Sequence, residues 1–292
     1  MLRLFPMLPA AWLAAFLPVL GAPMKVACVG DSITEGAGLS SPTLESYPAR
    51  VQRLLGTNEF TVRNYGVSGR TLLKRGDFPY WKETAFRQSH DWNPDVVIIQ
   101  LGTNDSKPQN WRHGTNFVAD YEELIGSYTN LTSQPRILLC TPCPVYRTGA
   151  FDIRPGVVAT NIAPLVRELG SRLGWPVIEL HERLAGHPEW FPDTVHPNTR
   201  GMAVMAAVMV EALKAGTSPE PPPAVLGVTR ASTRVRLDWP SELATHVVLS
   251  ATGLGPTSVW TVADAVPHRG GDQLLLTNNV AGAARFFRLW RP

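Results

Sequence analysis

The most constraining stretch of this chain is Val96-Val97-Ile98-Ile99, four branched apolar residues in a row within the strand expected over Asp95–Leu101. A strand with one wet face alternates apolar and polar residues, so an uninterrupted run must be covered on both faces. Further strands are expected at Met24–Val29, Phe60–Asn64, Arg136–Cys140 and Pro176–Leu180. Between them lie segments with helical spacing: Tyr47–Leu55, Asn116–Leu131, Val157–Leu173 (which contains Pro164) and Asn198–Leu213. Strands alternating with helices predict an α/β domain with a parallel sheet between two helical layers, joined by right-handed crossovers.

The pattern changes after Leu213. Residues 216–223 are rich in proline and read as a stiff, extended linker. Beyond it, apolar residues alternate through Val235-Arg-Leu237-Asp-Trp239, His246–Leu249, Ser258–Val262, Gln273–Leu276 and Arg285–Trp290, separated by glycine, proline and asparagine. This predicts a small antiparallel, β-sandwich-like module over residues 224–292. The chain therefore divides into a large domain at 24–215, the linker and the module. At the other end, Arg3 precedes an uncharged apolar stretch from Leu4 to Leu20, and Leu20-Gly21-Ala22 has the small residues of a cleavage site. Residues 1–23 are thus expected to be a signal peptide, with the mature chain secreted or periplasmic. Four prolines within residues 1–23 argue against a stable membrane-spanning helix, and no transmembrane segment is expected in the mature chain.

Composition excludes further classes. With 44% hydrophobic residues and a net charge of only +3, the chain is not a disordered one. The basic excess falls after Pro223, scattered without a run or stripe, so no nucleic-acid partner is expected. The three cysteines offer neither a second ligand pair for zinc nor a redox helix, so no metal is expected. Cys28 reads as a core residue. Cys140 and Cys143 read as a local disulfide or as two structural thiols.

Four short segments carry chemistry, and the first three directly follow expected strands. They are Gly30-Asp-Ser32-Ile-Thr-Glu-Gly36, Asn64-Tyr-Gly66-Val-Ser-Gly-Arg70, Gly102-Thr-Asn104-Asp105 and, before the last helix, Asp193-Thr-Val-His196-Pro-Asn198. In an open α/β sheet, ligands bind at the carboxyl ends of the strands, so these loops can meet. Ser32 is the candidate nucleophile, His196 the candidate base and acid, and Asp193 the group that orients the imidazole. The Ser32 N–H, the Gly66 N–H and the Asn104 side-chain amide are the candidate donors to a developing oxyanion. Trp81, Trp111 and Tyr146, near the motif ends, are candidate sugar-stacking or core aromatics.

These motifs resemble those of the SGNH, or GDSL, hydrolases, whose four named residues would be Ser32, Gly66, Asn104 and His196, with Asp193 completing the triad. The resemblance implies a flavodoxin-like three-layer α/β/α sandwich with five parallel strands, and a serine hydrolase without a cofactor. A finer resemblance, carried by Gly66–Thr71, Ile99–Pro108 and Phe191–Asn198, is to bacterial carbohydrate O-acetylesterases of the sialate O-acetylesterase-like or acetyl xylan esterase-like kind. It implies an acylated small molecule or acetylated carbohydrate as substrate. Lipases, arylesterases and thioesterases share the core motifs and form the alternative. A different alternative is a polysaccharide- or surface-binding protein, docked through residues 224–292, whose hydrolase domain is vestigial. The sequence departs from the family pattern at Thr194, where a glycine is usual.

Overall fold

The structure is a computed structural model and describes residues 22–148, 150–215, 226–231, 234–253, 259–263, 265–279 and 285–291. Most of the expected signal peptide and all of the expected linker lie outside the described residues.

The central sheet contains β1 (Met24–Gly30), β2 (Phe60–Gly66), β3 (Val96–Gln100), β4 (Arg136–Cys140) and β5 (Val177–Ile178), in the order β2-β1-β3-β4-β5. All four pairings are parallel. The strands alternate faces residue by residue, as extended chains must. Cys28, Ile98 and Cys140 enter one core cluster, and Val29, Ile99 and Leu139 the other. The first face is covered by the helices Tyr47–Leu55 and Thr199–Lys214, the second by Phe117–Thr129 and Ala163–Leu173. This is the α/β sandwich expected from the sequence.

The helix expected over Val157–Leu173 is built differently. The chain makes a π turn at Val158–Ile162, and a regular helix then runs over Ala163–Leu173. Pro164 explains this: it has no N–H for an i−4 bond, so it is tolerated only near a helix start. The helix Thr84–Asp91, not anticipated from sequence, covers the edge beside β2. Its run Thr-Ala-Phe-Arg-Gln-Ser-His-Asp carries too few apolar residues to show a period.

The C-terminal module is two antiparallel sheets. One has the order β10 (His268–Gly270), β11 (Gln273–Asn279), β7 (Arg234–Pro240), β6 (Gly227–Ala231). The other has the order β12 (Phe286–Trp290), β8 (Val247–Ala251), β9 (Thr261–Val262). The module is not a separate bead: Leu237, Trp239, Val248 and Leu276 belong to the same apolar cluster as Leu54, Ala206 and Met209 of the two helices beneath. Arg269 reaches the Leu55 carbonyl and lies 3.4 Å from Glu59, and Arg291 pairs with Glu211. Cys28, Cys140 and Cys143 are all free thiols, buried in the core, which decides against the disulfide alternative. Among the described residues no helix is long and apolar enough to cross a membrane.

Candidate active site

The sheet order reverses between β1 and β3, the place at the carboxyl ends of the strands where an open α/β sheet binds its ligands. Ser32 opens a four-residue helical turn immediately after β1. Asp31 caps that turn, its Oδ1 accepting the Ile33 N–H at 3.0 Å, and Gly36 ends it in the left-handed conformation. The Ser32 N–H is one of the helix-start donors with no acceptor inside the turn. Gly66, at the end of β2, abuts this turn so closely that a Cβ there would lie 2.2 Å from the Glu35 nitrogen. Only glycine permits that approach.

Residues 164 positions apart meet here. His196 Nε2 lies 2.8 Å from Ser32 Oγ, and His196 Nδ1 lies 2.6 Å from Asp193 Oδ2. The other carboxylate oxygen of Asp193 accepts the backbone N–H groups of His196 (2.7 Å) and Val195 (3.0 Å). Burial alone would lift the Asp193 carboxyl. The hydrogen bonds from His196 and Val195 outweigh it and hold the carboxyl below its ordinary range. An ionised carboxylate can only accept, so His196 Nδ1–H donates to it, and the Nε2 lone pair is left to accept the Ser32 O–H.

The Asn104 turn closes the opposite side. Asn104 is 4% exposed, and its Nδ2 donates to the Arg70 carbonyl at 3.2 Å. Asn110 Nδ2 grips its carbonyl at 2.9 Å. Asp105, fully buried, accepts the N–H groups of Leu72 (3.0 Å) and Leu73 (2.7 Å), tying the second motif loop to the third. Sequence reasoning passes over Asp105 because an acid after Thr-Asn carries no signal of its burial. That burial lifts its carboxyl to about 7, and likewise lifts Asp31, beneath the serine, to about 6. Of the expected oxyanion donors, the Gly66 N–H is already engaged, donating to Asn64 Oδ1 at 2.9 Å. A substrate oxygen must displace that acceptor before it can use Gly66.

Each of the three aromatics considered for sugar stacking packs against the protein's own side chains. Trp81 donates its indole N–H to the Leu72 carbonyl and lies between Phe86 and the Lys74 ammonium. Trp111 packs on Phe117 and under Gly114. Tyr146 packs on Phe191 and donates its hydroxyl to the Leu184 carbonyl at 2.6 Å. The ring that touches His196 is instead Phe151, silent in the sequence because a lone aromatic in a Gly-Ala-Phe-Asp loop has no periodicity.

Thr194 takes φ +73, a left-handed conformation that glycine adopts freely and a β-branched residue does not. The departure from the family pattern is therefore accommodated by strain, and the Asp193–His196 geometry survives it.

The fold and motifs define the class. Residues 28–204 match the GDSL-like lipase/acylhydrolase family, and the chain belongs to it. That family hydrolyses carboxylic esters. The chain is 37% identical over 209 residues to an acetylxylan esterase of Xylanibacter ruminicola, a match that spans 65% of this chain and 43% of that protein. Among solved structures, a lipase/acylhydrolase from Enterococcus faecalis superposes with a TM-score of 0.53 at 27% identity, covering 68% of this chain and all of that one. A carbohydrate acetylesterase family member from Sinorhizobium meliloti gives 0.53 at 21% identity, covering 66% and 98%, and so bears on the fold alone.

Proposed function

We propose that the protein is an exported serine esterase that removes acetyl groups from carbohydrate. The observation that carries the chemistry is the continuous Ser32–His196–Asp193 hydrogen-bond chain, 2.8 and 2.6 Å in its two links. Ser32 Oγ attacks the ester carbonyl carbon while His196 Nε2 takes its proton. Asp193 holds the tautomer and stabilises the imidazolium. The carbonyl oxygen becomes an oxyanion facing the Ser32 N–H and the Asn104 amide, with the Gly66 N–H joining once it leaves Asn64. The bond to the alcohol oxygen breaks and His196 returns the proton to that oxygen. Water, deprotonated by His196, then attacks the acyl-enzyme, and acetate leaves with Ser32 restored.

Carbohydrate acetate as the substrate is supported by the similarity to an acetylxylan esterase, and export by the charge and apolarity of residues 1–23. The test is hydrolysis of p-nitrophenyl acetate and of acetylated xylan by the purified protein, with Ser32→Ala as control. Full activity in Ser32→Ala overturns the mechanism. A lipase-like preference for long acyl chains in a p-nitrophenyl ester series overturns the acetyl assignment. Recovery of the full-length precursor in the cytoplasm, with no shortened form outside it, overturns export.

A further inference from the structure

Phe151 stands against the candidate active site, 57% exposed, with its ring edge-to-face on His196, centroids 5.3 Å apart and planes at 74°. A single exposed phenylalanine is ordinary. The backbone beneath this one is not. Phe151 and Asp152 are consecutive non-glycine residues in the left-handed region, at φ +54 and +60. Such strain persists only where the surroundings over-determine it, and it clusters at functional sites.

The surroundings here are explicit. On one side, the Tyr146 N–H donates to the Thr194 carbonyl at 3.0 Å, in the loop that carries His196. On the other, Arg154 is bound to the turn that carries Asn104: its N–H donates to Ser106 Oγ (3.1 Å) and its Nε to the Ser106 carbonyl (2.6 Å). Ile153, between these anchors, and Val158, just past them, pack with Val195, the residue before His196. The loop is thus stretched between the two halves of the candidate site and presents an apolar ring outward at a fixed place.

The chemistry says which part of a substrate meets that ring. His196 hands its proton to the leaving alcohol, so the alcohol lies on the His196 side of Ser32. The acyl oxygen lies toward Asn104. Phe151 touches His196, so it borders the alcohol. An aromatic face is electron-rich and pairs with weakly positive C–H groups, which a pyranose ring offers on its apolar face. We propose that Phe151 is a specificity-determining residue, the platform on which the sugar ring of the leaving alcohol stacks. This rests on the esterase reading above.

The test compares two acetates, an acetylated methyl xyloside and 2,2,2-trifluoroethyl acetate, whose small alcohol has no ring to stack. In Phe151→Ala the ratio of kcat/KM for the sugar ester to that for trifluoroethyl acetate is expected to fall about tenfold. Phe151→Trp is expected to restore it. A ratio within twofold of wild type in Phe151→Ala overturns the platform. So does a change in acetyl-against-butyryl preference on one fixed alcohol, because that places the ring on the acyl side. Wild-type protein that cleaves trifluoroethyl acetate but no sugar ester overturns both the platform and the carbohydrate assignment. Wild-type protein inert to every ester overturns the esterase reading itself.

Discussion

Thr194→Gly is expected to stabilise the protein, against the general rule that glycine weakens a fold. Four contributions set the magnitude. Holding an L-residue in the left-handed region costs about 1–2 kcal/mol, and Thr194 sits there at φ +73. Its hydroxyl is buried without a partner, a cost of about 1–3 kcal/mol that the substitution removes. Opposing these, glycine frees the unfolded chain by about 0.4–1 kcal/mol, and the lost methyl forfeits about 0.8 kcal/mol of burial. The net expectation is about 2 kcal/mol in favour of the variant. For a chain of this size that raises Tm by about 3 °C, readable by calorimetry or by thermal circular dichroism. The backbone groups of Thr194 keep their partners, the N–H on the Phe191 carbonyl and the carbonyl on the Tyr146 N–H. The reacting geometry should therefore survive. Thr194→Ala separates the two gains: it removes the orphaned hydroxyl and keeps the strained φ, so it should recover only part of the increment. A Thr194→Gly protein that melts below wild type would refute the reasoning.

Other expectations rest on the same geometry. Asn104→Ala should lower kcat for p-nitrophenyl acetate by about 10²–10³ while leaving KM near wild type, the mark of a group that acts on the transition state. Asp193→Asn should cost at least about 10² in kcat, since the amide no longer fixes the imidazole tautomer; near-wild-type turnover would remove Asp193 from the triad. Asp105 has a native-state pKa of about 7 against an ordinary 3.8, so the native state binds more protons than the unfolded chain between those values. Its contribution to stability is therefore full below about pH 4 and lost as pH rises through 7. In urea titrations Asp105→Asn should be less stable than wild type at pH 5, and the gap should narrow by pH 8; a gap that widens has the wrong sign. Removing residues after Ala215 uncovers the apolar faces of the helices Tyr47–Leu55 and Thr199–Lys214, and the truncated chain should aggregate or melt well below the whole.

Much of the architecture could be read ahead of the structure because the two-faced strands have no other home. Val96–Ile99 and Ile137–Cys140 are apolar on both faces, and the ends of β1, β2 and β3 hold Ser32, Gly66 and Asn104. Ser32, Asp193 and His196 can be named from sequence as a candidate triad because each sits in a short motif near a strand or helix end. The gaps have physical causes. β5 is two residues long, and β6 and β10 are polar or glycine-containing runs that acquire a strand form only through their neighbours. The engagement of the Gly66 N–H by Asn64 depends on a side-chain rotamer, which no spacing rule specifies. The loop that presents Phe151 is held by bonds to Thr194 and Ser106, partners distant in sequence on either side, so its own neighbours could not announce it.

The shared core between the sandwich and the β-module bears on how such proteins are recombined. A proline-rich joint invites the view that one catalytic unit can be exchanged for another by crossing over within it. Here the incoming unit would also have to bring two helices with an apolar outer surface shaped to Leu237, Trp239 and Leu276. A shuffled gene with a soluble, polar-backed hydrolase in front of this module would yield a module with an uncovered face. The piece that can be inherited intact is therefore the sandwich together with its module, and a crossover between them separates two halves of one core.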